Sequence, residues 1–240
     1  TPGDHKITYT VTDSTGKTTT VTQNVTVVDD VAPTIECLAD YNVYIKPANG
    51  CEVTEVAAID SIYEQYVIKN GIATKNSDRT FTIVDSDRIT LSADGKAIES
   101  IKDECGDTLK VESSLLDNTS FDESDKSFTL GVDGTQTIYW TMSDGYNKSS
   151  CSTTVSAADT MKPVVSTPDA ITIHTSGSAD KCAGDTTIAN DAIKALLDIK
   201  ECSDYTIKYF VDGGTGNELT TNDVVMSDLT TGEHDVKYTV

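Results

Sequence analysis

Long apolar segments and positive charge are scarce in this sequence. No stretch approaches the run of about 18 apolar residues that a membrane-spanning helix needs, so we expect no direct insertion into a membrane. Lysine and arginine number 18 against 39 aspartate and glutamate residues, and the formal net charge is −21. Because nucleic acids and anionic membranes carry the same sign, this charge excludes them as favourable partners.

Patterns for catalysis and for zinc binding are also missing. The three histidines are scattered, and no nucleophile, base and orienting acid come together in the sequence. Zinc sites use cysteine and histidine at close spacing such as CxxC, and the six cysteines have no such spacing. We therefore predict that the chain is not an enzyme and requires no cofactor, with calcium as the one ion that its acidic composition favours.

A repeated segment is the most informative feature that is present. Residues 1–11 read TPGDHKITYTV, residues 132–142 read VDGTQTIYWTM and residues 230–240 read TTGEHDVKYTV. In each copy a glycine precedes an aromatic residue by six positions, and these aromatics are Tyr9, Trp140 and Tyr238. Repetition at a fixed place favours core packing over a sugar-stacking surface, and a repeated module indicates a piece of a longer array.

Each repeat begins a predicted β-hairpin. Residues 5–28 alternate apolar and polar side chains on both sides of a turn at 13–17, and residues 137–157 do the same around a turn at 143–147. Other local signals are a hairpin turn at Asp94-Gly95 between strands at 80–91 and 96–101, and helices at 57–68 and 187–200.

Acidic joints and prolines mark the predicted domain boundaries. The segments Asp29-Asp30-Val31-Ala32-Pro33 and Asp159-Thr160-Met161-Lys162-Pro163 each follow a hairpin, and proline there prevents the strand from continuing. We therefore expect three parts: the C-terminal hairpin of a preceding repeat (1–31), a complete domain (32–161) with an insertion at 59–101, and a domain truncated before its last strand (162–240).

The repeat also constrains the pairing of the cysteines. Four lie in the central domain, which allows three connectivities. Thr167 and Thr20 stand at the places that we match to Cys37 and Cys151, so these two cysteines are lost together. Partners in a disulfide tend to be lost together, and this predicts the pairs Cys37–Cys151, Cys51–Cys105 and Cys182–Cys202. Three disulfides imply an oxidising, extracellular compartment.

These residues resemble a known family. The segment from Tyr9 to Lys17, and the later segment from Val25 to Cys37, are similar to the end and the start of consecutive hyalin repeat (HYR) domains, and Glu104-Cys105-Gly106-Asp107 is similar to that family's Asp-Asn-Cys element. The resemblance implies an all-β fold of tandem immunoglobulin-like β-sandwiches, here with short helical insertions. It also implies a large extracellular adhesin, most like repeat proteins on the surface of Bacteroidota.

Aspartates at the joints and in the hairpin turns are candidate calcium ligands. Hard oxygen ligands from a turn and a linker hold adjacent domains rigidly when calcium binds between them. The residues are Asp13, Asp29, Asp30, Asp144 and Asp159. The alternative is that these acidic side chains only solvate the hinge.

Six residues are candidate glycosylation sites. Asn24, Asn118 and Asn147 begin Asn-x-Ser/Thr sequons. Ser61, Thr108 and Thr160 lie in Asp-Ser/Thr-apolar triplets, which resemble O-glycosylation sites of Bacteroidota.

The predicted function is structural. We expect a segment of an extracellular cell-surface fibre or adhesin, which acts as a rigid spacer and an adhesion surface. Its partners are neighbouring repeats or identical subunits in a filament, together with surface glycans or other cells. The alternative is a carbohydrate-binding or spacer region of a secreted polysaccharide-degrading enzyme.

Overall fold

The computed structural model describes residues 2–115, 124–172, 174, 184–219, 224–229 and 232–240. Across these residues the chain is mostly β-strand, with two α-helices and a short 3-10 helix at Pro47–Asn49. It divides into two compact units. The first comprises Thr1–Asn42, Thr54–Thr129 and Thr135–Ser156, and the second comprises Val43–Val53, Leu130–Gly134 and Ala157–Val240.

The elements follow one another in this order. They are β1 (Gly3–Thr12), β2 (Thr18–Val27), β3 (Tyr41–Ile45), β4 (Val53–Ala57), α1 (Ile59–Lys69), β5 (Ala73–Lys75), β6 (Phe81–Ile83), β7 (Ile89–Leu91), β8 (Ile98–Ile101), β9 (Lys110–Ser114), β10 (Lys126–Leu130), β11 (Thr135–Ser143), β12 (Lys148–Asp159), β13 (Gly184–Ile188), α2 (Asn190–Leu197), β14 (Ile207–Val211), β15 (Asn217–Leu219), β16 (Val224–Leu229) and β17 (Val236–Thr239).

The first hairpin has the predicted bounds within two residues. β1 and β2 pair antiparallel, with Thr12 opposite Thr18 at the turn. The carboxylate of Asp13 closes this turn, because its Oδ1 accepts hydrogen bonds from the backbone N–H groups of Thr15 and Lys17 at 2.8 and 2.9 Å. Every residue of β1 is exposed.

The second hairpin, β11–β12, lies inside a four-stranded antiparallel sheet of order β3-β12-β11-β9. Its turn is one residue shorter, because Ser143 pairs with Lys148. The residue opposite Trp140 is Cys151, whereas the residue opposite Tyr9 is Val21. Val21 is therefore the counterpart of Cys151, and the match of Cys151 to Thr20 was wrong by one residue.

Apolar side chains of this sheet form the core of the first unit together with one face of α1. The buried residues of α1 recur at helical spacing, and they are Ile59, Ile62, Tyr66 and Val67. Those of the sheet include Ile138, Trp140, Met142 and Val155. The hydroxyl of Tyr63 fastens α1 to the sheet, since it accepts a hydrogen bond from the N–H of Val111 at 2.9 Å.

The segment predicted as an insertion contains α1 and two small hairpins, β5–β6 and β7–β8. The helix spans Ile59–Lys69, close to the predicted 57–68. The Asp94-Gly95 turn is present between β7 and β8, and Gly95 has the positive φ of 70° that such a turn requires. The predicted strand 80–91 is instead two short strands, β6 and β7.

The second unit contains a β13–β16 pair, a three-stranded sheet of order β15-β14-β17 and the helix α2. Its core consists of Ile193, Leu197, Ile207, Tyr209, Leu219, Val224 and Met226. The helix α2 is shorter than the predicted 187–200, because Thr187 and Ile188 belong to β13 and Asp198 has a left-handed conformation. No helix in the described ranges has both the length and the apolar character to cross a membrane.

Two disulfides form among the cysteines that the structure describes. One links Cys37 and Cys151 with a Cα–Cα distance of 5.8 Å, and this is one of the predicted pairs. The other links Cys51 and Cys202 with a Cα–Cα distance of 5.2 Å. Two disulfides are typical of proteins in an oxidising compartment.

The pairs Cys51–Cys105 and Cys182–Cys202 are therefore corrected. Both predicted pairs lie within one sequence repeat, whereas residues 43–53 fold into the same compact unit as Cys202. Cys105 lies in the first unit as an exposed free thiol. Cys182 lies outside the described residues.

Candidate metal centre

Three turns or linkers of the first unit bring carboxylates together. Asp29 follows β2, Asp103 follows β8, and Asp144 begins the β11–β12 turn. One ligand atom of each residue lies within 4.8 Å of the others. Asp107 shares the turn of Asp103, and we call Asp29, Asp103, Asp107 and Asp144 the acidic cluster.

The carboxylates of Asp29 and Asp144 are held in place by backbone hydrogen bonds. Oδ1 of Asp29 accepts from the N–H of Val31 at 3.0 Å. Oδ1 of Asp144 accepts from the N–H groups of Tyr146 and Asn147 at 2.7 and 2.6 Å. The side-chain amide of Asn147 also donates to the backbone carbonyl of Asp29 at 3.1 Å, which ties the two segments to each other.

Asp103 and Asp107 close their own turn. The N–H of Asp107 donates to Oδ1 of Asp103 at 2.9 Å, and the N–H of Asp103 donates to the carbonyl of Asp107 at 3.0 Å. Gly106 between them has a φ of 91°, a conformation that residues with a Cβ rarely adopt. Lys102 and Thr108 continue the pairing on either side as an isolated β-bridge.

In Asp29 and Asp144 the backbone hydrogen bonds use Oδ1 and leave Oδ2 without a partner. The Oδ2 atoms of Asp29, Asp107 and Asp144 are buried and have no hydrogen-bond partner. Asp29 is 9% exposed and Asp144 is 4% exposed. At an effective dielectric constant of about 20, two carboxylate charges about 5 Å apart repel by about 3 kcal/mol. The acidic cluster is therefore costly to the fold unless a cation or protons neutralise it.

Two groups at this concentration of negative charge, Asp107 and Cys105, have a raised pKa. Burial raises the pKa of Asp107, and the charges of Asp103, Asp29 and Asp144 raise it further. The charge of Asp29 is also the main cause of the raised pKa of the Cys105 thiol.

Two of the five predicted calcium ligands, Asp29 and Asp144, belong to the acidic cluster. Asp13, Asp30 and Asp159 do not belong to the cluster of carboxylates that contains Asp29. Asp13 is exposed, although it closes its hairpin turn in the way that Asp144 does. In the second unit, Asp159 accepts a hydrogen bond from the hydroxyl of Ser203 at 3.2 Å.

Asp103 and Asp107 were not among the ligands predicted from the sequence. The sequence signal that could have indicated them is a turn around Glu104-Cys105-Gly106, with an aspartate at each end of the turn. Nothing in the sequence shows that this turn lies beside the β11–β12 turn.

The repeated aromatics occupy different environments. Trp140 is fully buried, and Tyr238 packs against the core of the second unit. Tyr9 is 47% exposed, and its hydroxyl donates to the side-chain carbonyl of Gln23 at 2.9 Å. The three residues therefore form no continuous exposed row of aromatic rings.

The candidate glycosylation sites differ in accessibility. Asn24, Thr108 and Thr160 are exposed. Ser61 and Asn147 are half-buried, and the side-chain nitrogen of Asn147 that would carry a sugar is hydrogen bonded to Asp29. Asn118 lies outside the described residues.

No protein-family model matches this chain, and no curated protein matches it at a significant level.

Proposed function

We propose that the chain is a segment of an extracellular cell-surface fibre or adhesin, built from tandem immunoglobulin-like sandwiches of the hyalin repeat kind. In this proposal the segment is a rigid spacer that also presents an adhesion surface. The repeated hairpins, the high strand content and the two disulfides support it.

The Cys37–Cys151 disulfide is the observation that carries this proposal. It joins the segment before β3 to β12, across 114 positions of sequence. Of the four strands in this sheet, β12 is the last along the chain. A pulling force that enters near residue 33 and leaves near residue 159 passes through this bond. The residues between the two cysteines are then shielded from the force, as a spacer under tension requires.

Hydrogen bonds reinforce the same junction. The hydroxyl of Thr153 on β12 donates to the carbonyl of Leu38 at 2.9 Å. The N–H of the next residue, Thr154, donates to Oδ1 of Asp40 at 2.7 Å. The segment that enters the domain is therefore fixed to the strand that leaves it by one covalent bond and two hydrogen bonds.

Single-molecule force spectroscopy tests the mechanical role. The parent chain carries Cys51→Ser/Cys202→Ser, because the second disulfide would otherwise bridge most of the same loop. This parent is stretched between its ends, with and without reductant, alongside a variant that also carries Cys37→Ser/Cys151→Ser. Loss of the Cys37–Cys151 disulfide releases about 40 nm of extra extension, at about 3.5 Å for each of the residues between the cysteines. We expect that extra extension in the variant and in the reduced parent, and its absence in the oxidised parent. The same extension in the oxidised parent would contradict the proposal.

The first hairpin supports assembly with neighbouring repeats or identical subunits. Its apolar face is exposed, whereas the matching residues Ile138, Trp140 and Met142 of β11 are buried. The exposed residues are Ile7, Tyr9, Val11, Val21 and Val27. Electron microscopy of the native cell surface, labelled with an antibody to this chain, tests the assembly. Labelled filaments are expected, and label on isolated molecules alone would count against a fibre.

Carbohydrate binding, as part of a secreted polysaccharide-degrading enzyme, is the alternative. A cleft in the second unit favours it, with Tyr205 42% exposed beside Lys194, Asp204 and Glu218. A glycan array with wild type and Tyr205→Ala separates the two proposals. Binding that the Tyr205→Ala variant loses would favour the alternative, and no binding by either protein would favour the spacer.

A further inference from the structure

We propose that Asp29, Asp103 and Asp144, the three members of the acidic cluster whose ligand atoms lie within 4.8 Å of one another, together bind one calcium ion. The ion would hold the segment that follows the first hairpin against two turns of the same compact unit. This site is independent of the proposed spacer function, because it rests on the geometry of the acidic cluster alone.

The chemistry of the donors selects a hard cation. All three side chains offer carboxylate oxygens, which suit calcium, magnesium or manganese rather than zinc. Ca–O distances are about 2.3–2.6 Å, so two ligands on opposite sides of one calcium ion are about 5 Å apart. The Asp29, Asp103 and Asp144 atoms lie within 4.8 Å of one another, which fits a single ion.

Calcium fits the cluster better than magnesium does. Calcium accepts six to eight oxygens in flexible geometry, whereas magnesium keeps several waters and usually binds only one or two carboxylates. Here the carboxylates come from three separate chain segments, and backbone hydrogen bonds set the position of each of them. An arrangement with several fixed carboxylates leaves little room for the waters of a magnesium ion.

The unpartnered oxygens are the second, independent observation. Asp29 and Asp144 are more than nine-tenths buried, and the Oδ2 of each has no hydrogen-bond partner. Buried carboxylates in proteins are paired, hydrogen bonded or bound to metal. A cation bound by Asp29, Asp103 and Asp144 would neutralise these carboxylates, and it would also offset the charge beside Asp107, whose Oδ2 is likewise buried and unpartnered. Sharing of protons among the carboxyl groups is the other way to relieve the cost.

Isothermal titration of the chelator-treated chain with calcium chloride tests the site. The variants are Asp144→Asn and Asp103→Asn. Asparagine keeps the Oδ1 that accepts the backbone hydrogen bonds, and it replaces the charged oxygen. Asp13→Asn is the matched control, because Asp13 closes the equivalent turn of the first hairpin but is exposed.

We expect one calcium per chain, with a dissociation constant on the order of 10⁻⁴ to 10⁻³ M, as in extracellular modules. Asp144→Asn and Asp103→Asn should each weaken binding at least tenfold, and Asp13→Asn by less than twofold. Circular dichroism in chelator checks the folding of each variant. If Asp144→Asn does not fold, the calcium affinity of Asp103→Asn is the deciding measurement.

Thermal unfolding of wild type distinguishes the ion from shared protons and needs no variant. Calcium chloride at neutral pH should raise the midpoint, and the same concentration of magnesium chloride should raise it less. No calcium heat and no calcium-dependent midpoint would overturn the proposal and leave proton sharing. Equal effects of magnesium and calcium, or equal losses in Asp13→Asn, would also overturn it. None of these outcomes bears on the force measurement.

Discussion

The indole nitrogen of Trp140 donates a hydrogen bond to the hydroxyl of Thr153 at 3.3 Å, and both residues are fully buried. Thr153 in turn donates to the carbonyl of Leu38, so one hydroxyl links the repeated aromatic to the entering segment. The first hairpin has a corresponding hydrogen bond, in which the hydroxyl of Tyr9 donates to the side-chain carbonyl of Gln23 at 2.9 Å. The repeat therefore conserves a contact across the hairpin as well as an aromatic residue.

Replacing Thr153 by valine removes this hydroxyl without changing the shape of the side chain. The Trp140 N–H and the Leu38 carbonyl both lose a partner, and we expect unfolding to become easier by about 2–4 kcal/mol. Urea denaturation followed by tryptophan fluorescence measures the loss. Thr22→Val, the same change at an exposed position of β2, should stay within about 0.5 kcal/mol of wild type. Equal effects of the two substitutions would contradict the structural role of Thr153.

Peptide mapping without reduction tests the cysteine pairs. We expect peptides that link Cys37 with Cys151 and Cys51 with Cys202, because the Cα–Cα distances of 5.8 and 5.2 Å suit disulfides. Alkylation before digestion should label Cys105, which is exposed and free. Recovery of Cys51 linked to Cys105 would instead restore the pairing predicted from the repeat.

The turn of the acidic cluster depends on Gly106. Its φ of 91° is strained for any residue with a Cβ, so Gly106→Ala should cost about 1–2 kcal/mol even though the added methyl group meets open space. Gly131→Ala is the control, because its new Cβ makes only an ordinary contact at 4.0 Å and its backbone lies outside the left-handed region. Thermal unfolding of both variants in chelator gives the comparison. A smaller loss for Gly106→Ala than for Gly131→Ala would contradict the strain.

Acid sensitivity of the second unit should depend partly on Asp212. A hydrogen bond with His234 at 2.7 Å is the main cause of the lowered pKa of Asp212, and the N–H of Asp235 adds to it. The ionised carboxylate therefore stabilises the fold. This contribution is complete above the ordinary carboxyl pKa of 3.8 and disappears as the pH falls through the lower folded value.

Asp212→Asn should consequently destabilise the protein at neutral pH, and its difference from wild type should shrink as the pH falls below about 4. Chemical denaturation between pH 7 and pH 2 measures this difference. In a His234→Gln background, which copies the glutamine found at 136 in the second repeat, the effect of Asp212→Asn should be smaller. A difference independent of pH would show that the carboxylate charge is not responsible.

Local patterns predicted the hairpins and helices because the signal for each lies within a few consecutive residues. Alternation around residues 13–17 and 143–147 predicted two turns that the structure contains. The boundaries of α2 were less accurate, since Ile188 suits the apolar face of a helix and also the strand β13. Apolar periodicity alone does not separate the two at the end of an element.

The pairing of Cys51 and the acidic cluster could not be predicted in full, because both depend on how distant segments meet. Residues 43–53 belong to the same compact unit as Cys202, and the Cys51–Cys202 disulfide joins positions 151 residues apart. Asp29 and Asp144 were predicted because they recur at joints and turns. Asp103 joins them only through the position of the β7–β8 hairpin, which no repeat in the sequence marks.

The bond between Cys37 and Cys151 also determines what a protease can achieve. A single cut anywhere among the residues between these cysteines opens the backbone but leaves both pieces in one covalent molecule. Because Cys51 is bonded to Cys202, the same holds for a cut between residues 151 and 202, and only a cut before Cys37 or after Cys202 would divide the chain into two molecules.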